Sequence, residues 1–206
     1  GNLELEPGKA IKEIDSPIKP FYYLADKVLQ KKDSGIKIQV ESEIPLGVGL
    51  GSSSACCVAG AAAISKLFSE SSKEEILGMA IEAEKTIFQN TSGADCTVCT
   101  FGGIMEYDKE YGFLKIKSKP NFHLVIANSN IEHSTEVIVK NVKSFKENNE
   151  NEFSNLCHSE QELIKDVLKL LEKNEIKELG EKVNQNQKYL EVIGISNDKI
   201  RKMVEI

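Results

Sequence analysis

Apolar and polar residues alternate strictly over one stretch of this chain and recur at helical spacing over most of the rest. Ile36, Ile38, Val40 and Ile44 alternate with Lys37, Gln39, Glu41 and Glu43, and Ser42 falls in the apolar register. Period two predicts a half-buried strand, which Pro45 ends. Before it, residues 16 to 32 read as a helix with Ser16 as a cap and early prolines tolerated near the first turn. After it comes a glycine-rich turn and then a helix from about Ser52 to Phe68, whose Ala and Gly content suits close packing against a sheet. A further helix is predicted from about Lys73 to Phe88, then a polar loop from Gln89 to Gly93. A short helix follows near Asp95 and is stopped by Gly102-Gly103. Ile104–Tyr107, Phe113–Ile116 and Phe122–Ala127 read as strands. From Thr135 the chain is mostly helical, with breaks near Lys146–Asn151 and Asn174 and a last helix from about Asn197. Leu163, Val167, Leu170 and Leu171 mark a core face at helical period. The mixture predicts an α+β fold. The polar stretch Asp108–Asn121 is the natural boundary between a domain at 1–108 and one at 109–206. The Asn- and Glu-rich run at 146–152 reads as a loop.

The turn before the Ser52 helix changes this picture from architecture to chemistry. Gly47, Gly49 and Gly51 are followed at once by Ser52, Ser53 and Ser54. A glycine-rich turn opening onto a helix start leaves backbone N–H groups free at the positive end of the helix dipole, where an anion is favoured. The loop lacks the lysine of a GxxxxGK[ST] phosphate loop, the next lysine being Lys66. Its GxGxG spacing also departs from the GxGxxG dinucleotide fingerprint. The plain alternative is a glycine-rich turn before a core helix. Three hydroxyls at the helix start favour the anion reading.

Composition narrows the classes further. The net charge is −6 over 206 residues, and the acidic and basic residues are interspersed. Arg201 is the only arginine. Both facts argue against a nucleic-acid surface. No apolar run reaches membrane-spanning length and the first residues do not read as a signal peptide. Five cysteines, two of them adjacent at Cys56 and Cys57, point to reduced thiols and a cytoplasmic setting. Cys96 and Cys99 spell CxxC with no second pair, so they read as a packed, reduced pair. His123, His133 and His158 show no metal spacing, and His123 falls in an apparent strand, at its core or edge.

A second constellation lies at 82–103, EAEKTIFQNTSGADCTVCTFGG. It carries Glu84 on a helix and Asp95 after a Ser92-Gly93 turn. Phosphoryl transfer to an alcohol needs one carboxylate to hold Mg²⁺ and another near the hydroxyl. From spacing alone, Glu84 as a solvated helix residue and Asp95 as a helix-start residue stand equally open.

Together the two segments resemble the GHMP kinase superfamily, most closely its mevalonate kinase family. The run from Pro45 through Gly47, Gly49, Leu50 and Gly51 to Ser52, Ser53 and Ser54 is similar to the family's PxxxGLGSSA loop. Glu84, Asn90, Ser92, Gly93, Asp95, Val98, Thr100, Gly102 and Gly103 match the E-x-x-x-H-G-N-P-S-G-x-D-x-x-V-x-T-x-G-G pattern. Residues 133–142 and 184–196 resemble later family segments more loosely. The resemblance implies a two-domain GHMP fold and ATP-dependent phosphorylation of a small-molecule hydroxyl, with mevalonate the first acceptor. Phosphomevalonate, homoserine or galactose are the alternatives, as is a catalytically silent binding domain. It implies that the loop wraps the triphosphate, that Ser53 and Glu84 ligate Mg²⁺, and that Asp95 acts as base or positioner. Thr100 and Thr135 would lie by the acceptor. The oligomeric state stays open, a homodimer included. Thr91 stands where the pattern has proline, Ala94 where it has Ile or Val, and Phe88 and Gln89 where it has His-Gly. These departures bear on the acceptor more than on the chemistry. The family's PGKVILFGEH and C-terminal glycine motifs find no counterpart, Gly8-Lys9 being a chance match, so the expectation is an architecture incomplete at both ends.

Overall fold

A computed structural model describes residues 2–5, 18–29, 36–45, 47–68, 70–117, 120–131 and 135–205. The chain divides into two compact units, Gly1–Lys115 and Ile116–Ile206. Ser16, Leu46 and His133 lie outside the described residues.

In the first unit, β1 (Asn2–Leu5) pairs antiparallel with β2 (Ile36–Gln39), Asn2 opposite Gln39 and Leu5 opposite Ile36. The strand is shorter than its alternation predicts. Past Gln39 the chain leaves the ladder, and Ser42 Oγ accepts from the Ile44 amide at 3.1 Å to bend it ahead of Pro45. Helix α1 runs Lys19–Leu29, α2 Ser52–Phe68, α3 Lys73–Glu84 and α4 Ala94–Phe101. A hairpin of β3 (Met105–Asp108) and β4 (Gly112–Lys115) follows. Asp108 closes its turn, accepting from the amides of Glu110 and Tyr111 at 2.7 and 2.9 Å.

The start of α3 is fixed locally. Ser72 accepts from the Glu75 amide, and Glu75 reaches back to the Ser72 amide at 2.8 Å. Such a reciprocal cap contributes about 1 kcal/mol. The same bonds hold the Glu75 carboxyl below its ordinary range. Helix α3 ends at Glu84 rather than Phe88. Thr86 and Ile87 turn back onto the carbonyls of Ala83 and Glu84, tightening the last turn.

The core of this unit is built from Leu24, Cys57, Ala61, Ile64, Ala80, Ala83 and Cys96. Small residues on α2 bring it close to its neighbours: α2 packs on α1, α3 and α4, and Ile36 and Ile38 of β2 pack against the same core. The tightest approach is at Gly60, where an added Cβ would stand 3.0 Å from Phe21 Cε1 and 3.2 Å from Leu24 Cδ1.

The second unit contains α5 (Thr135–Asn148), α6 (Glu150–Lys173), α7 (Ile176–Val192) and α8 (Asp198–Val204). Leu163 and Leu171 are buried on α6, with Val167 and Leu170 half-buried beside them. The run 146–152 is not a loop: α5 and α6 extend into it and only Asn149 interrupts them. Asn174 ends α6 in a left-handed conformation at φ 57°, and the Glu175 amide returns to Leu170 O at 3.0 Å. Asn197 caps α8, accepting from the amides of Lys199 and Ile200. Phe122–Ala127 forms no strand among the described residues. Leu124, Val125 and Ile126 are exposed, as is His123. An apolar run supplies strand propensity but not the partner edge that a ladder requires. No helix among the described residues is long and apolar enough to cross a membrane.

Candidate active site

Three left-handed glycines shape the loop before α2: Gly47 at φ 72°, Gly49 at 77° and Gly51 at 65°. Residues with side chains rarely adopt this backbone. The Ala55 amide donates to Gly51 O at 2.9 Å, so Gly51 is the hinge at which the helix begins. Ser52, Ser53 and Ser54 form its first turn, where backbone amides have no acceptor within the helix. Pro45 and Leu50 are exposed, Ser52 and Ser53 half-buried, and Ser54 is buried.

The loop meets α4. A Cβ at Gly51 would stand 3.8 Å from both Cγ and Oδ2 of Asp95, ordinary van der Waals distance. Asp95 lies in the first turn of α4 and is exposed. The predicted phosphate loop and the predicted catalytic carboxylate are therefore neighbours, although 44 positions separate Gly51 from Asp95 in sequence.

Glu84 is not a solvated helix residue: it is 3% exposed. Ser54 Oγ donates to its Oε1. Thr91 Oγ1 donates to Oε2 at 2.5 Å, and Cys96 Sγ reaches the same oxygen at 3.6 Å. The carboxylate thus ties together α2, the end of α3, the loop after it and α4. Hydrogen bonds to a charged group are each worth about 1.5–3 kcal/mol. The hydroxyl that meets Glu84 belongs to Ser54. Ser53, the serine expected beside it, sits about 100° round the helix. Neither Thr91 nor Cys96 was singled out by the sequence as a Glu84 partner, and Thr91 stood out only as a departure from proline.

The carboxylate in turn governs the thiols. Burial, then the charge of Glu84, then Cys56, push the Cys57 thiol from 9.0 up to about 12. Burial and Glu84 push Cys96 higher still. Cys99 is raised by burial, then by Asp95 and Glu84. Cys96 therefore meets Glu84 as a protonated S–H donor. All five cysteines are free, and Cys99 is exposed where Cys96 is buried.

Helix α4 is held at both ends by the hairpin. Tyr107 Oη donates to Ser92 O just ahead of it, and Lys115 Nζ donates to Phe101 O at its last residue, 3.1 Å away. Thr100 is half-buried and spends its hydroxyl hydrogen on Cys96 O at 2.8 Å, within its own helix. Thr135 begins α5 in the second unit, and its side chain is outside the described residues.

The donor set suits a hard cation. Glu84, Asp95 and the serines offer oxygen. No group of three His, Cys, Asp or Glu side chains among the described residues could by itself hold a metal. Magnesium does not require one, since it is commonly bound by one or two carboxylates and completes its shell with phosphate and water.

Residues 18–103 match the family model for the GHMP kinases N terminal domain. That segment belongs to the GHMP kinase N-terminal domain family. It is 42% identical over 108 residues to a mevalonate kinase of Pyrococcus furiosus, covering 52% of this chain and 32% of that protein. A mevalonate kinase of Pyrococcus abyssi is 32% identical over 211 residues, covering 98% of this chain and 61% of the relative. The crystal structure of L. major mevalonate kinase in complex with R-mevalonate superposes with a TM-score of 0.75 at 26% identity. It covers 94% of this chain and 61% of that one. The chain therefore spans less than two thirds of the length of these relatives.

Proposed function

We propose that this chain carries the catalytic machinery for ATP-dependent phosphorylation of the mevalonate hydroxyl, giving 5-phosphomevalonate, in the cytoplasm. The observation that supports this reading most is the placement of Asp95 against Gly51. An anion-receptive helix start and an exposed carboxylate share one small region, as transfer of a phosphoryl group to a hydroxyl requires. The similarity to proteins named mevalonate kinase over 98% of the chain supports the acceptor.

On this reading the amides from Gly47 to Ser54 hold the phosphates. The free first-turn N–H groups and the helix dipole face the negative charge and need no reorganisation to do so. Asp95 holds the acceptor hydroxyl and takes its proton, or orients it electrostatically, as the oxygen bonds to the γ-phosphorus and the bond from that phosphorus to the β–γ bridging oxygen breaks, releasing ADP. Glu84 and the serine pair Ser53 and Ser54 would hold Mg²⁺, which when bound neutralises charge on the triphosphate. The N-terminal part, expected at 1–108 and carried to Lys115 by the β3–β4 hairpin, is then the ATP-binding part, and Thr135 is assigned to the acceptor.

The test is a coupled ADP-release assay of the full chain with mevalonate, phosphomevalonate, homoserine and galactose. Turnover is expected with mevalonate. Asp95→Asn should lower kcat by about 10²–10⁴-fold, the range for removing a positioned acid or base, while binding of a non-hydrolysable ATP analogue persists. Turnover with another acceptor but not mevalonate would correct the substrate. Loss of nucleotide binding together with turnover would make Asp95 structural.

A further inference from the structure

The donors around Glu84 are unevenly shared. Among the described residues Ser54 alone meets Oε1, whereas Thr91 and Cys96 both meet Oε2. Each carboxylate oxygen has about two lone-pair directions. Oε2 is therefore saturated, and Oε1 keeps one direction unused. Of the two donors on Oε2 the hydroxyl at 2.5 Å is far stronger than the thiol at 3.6 Å. Thr91 is itself fixed in place. Its Oγ1 accepts from the Gly93 amide at 3.2 Å, which leaves the hydroxyl hydrogen for the carboxylate. The pattern this segment resembles has proline here, a residue with no side-chain donor.

We propose that Thr91 is a positioning residue that makes Glu84 a one-oxygen ligand. By saturating Oε2 it fixes the plane of the carboxylate and leaves Oε1, beside Ser54, as the atom that takes a divalent cation. The inference rests on the reading of Glu84 as the cation's carboxylate. Partners that hydrogen-bond a ligating carboxylate act by fixing its orientation, and losing one typically weakens metal affinity about 10–100-fold. Without the Thr91 hydroxyl, Oε2 would keep only the thiol, and the carboxylate would be free to turn Oε1 out of place.

The experiment is a titration of Mn²⁺ into the full chain with ADP present, free Mn²⁺ being read by electron paramagnetic resonance well below the melting temperature. The chains compared are the wild type, Thr91→Val, Thr91→Ser and Glu84→Gln. Thr91→Val should raise the Mn²⁺ dissociation constant about tenfold, at the lower end of that range, and Thr91→Ser should restore the wild-type value. Thr91→Cys, a weaker donor of similar size, should lie between them, and it replaces the valine variant if that chain does not fold. Metal-free melting curves report any purely structural cost, which would lower the melting temperature and leave the dissociation constant unmoved. If Glu84→Gln weakens binding while Thr91→Val does not, the positioning role is overturned and Glu84 stands as a ligand. If Glu84→Gln leaves binding unchanged, Glu84 is not a ligand and the inference falls with that reading.

Discussion

Replacing Ser54 by alanine removes the donor to Glu84 Oε1 and little else. Ser54 is 2% exposed and Glu84 3%, so bulk water cannot substitute for the lost hydroxyl without the helices parting. A hydrogen bond to a charged group contributes about 1.5–3 kcal/mol, and a buried acceptor left unsatisfied costs a similar amount. The expected loss is therefore about 2 kcal/mol. Ser53→Ala is the matched control. It deletes the same atom from the neighbouring residue, which is half-buried and not Glu84's partner, and should cost no more than about 0.5 kcal/mol. Because the chain has two units, the reading must be local. Native-state hydrogen exchange on peptides from α2 and α3 supplies it, since the slowest amides there report opening of this core. A loss of 2 kcal/mol speeds their exchange roughly 30-fold, at tenfold for each 1.4 kcal/mol. Peptides from α6 and α7 serve as the unaffected reference. Combining Ser54→Ala with Glu84→Gln should cost less than the sum of the two, as for residues sharing one bond. Equal effects from Ser53→Ala and Ser54→Ala, or none from Ser54→Ala, would refute the proposed role of this contact.

Two further outcomes follow from the core. Gly60→Ala should destabilise by about 1 kcal/mol: crowding against Phe21 and Leu24 costs about 1–3 kcal/mol, partly offset by about 1 kcal/mol of helix propensity. A higher melting temperature would show that α1 can yield without loss. Iodoacetamide labelling at pH 8, followed by peptide mass, should modify exposed Cys157 first, Cys99 later, and buried Cys57 and Cys96 last. Raised thiols hold their protons, so Cys99 labelling should climb as the pH passes 9. Fast labelling of Cys57 would mean that the core opens. Stability follows the same sign. The unfolded chain releases the Cys57 proton near 9.0 and the folded one near 12, so this group's contribution is present below pH 9 and lost toward 12. Cys57→Ala should flatten that alkaline fall.

Local signals were legible where they carried their own punctuation. Helix α2 was read at its observed limits because glycines precede it and alanines fill it. Helix α4 was readable between Gly93 and Gly102. Readings that depended on a partner fared worse. The 122–127 run has the composition of a strand but no ladder among the described residues. The small residues of α2 say that something comes close, not that most of it is helical. The Glu84 cluster was legible as a carboxylate and no further. Its donors lie 30, 7 and 12 positions away at Ser54, Thr91 and Cys96, and no periodicity links them. At 146–152 the polar composition reads as a loop because polarity marks solvent, not the absence of a helix.

The hairpin that grips α4 bears on where this domain can be cut. Although similarity to a relative runs over 98% of the chain, the match to the N-terminal domain model ends at residue 103. Tyr107 and Lys115, which fasten the two ends of α4, lie beyond it. A chain stopped at 103 would hold the glycine loop, Glu84 and Asp95 in full, and α4 would keep its packing on α2 and α3 but lose the two hairpin bonds at its ends. The smallest piece that keeps these ties therefore extends past the N-terminal domain match by the length of one hairpin.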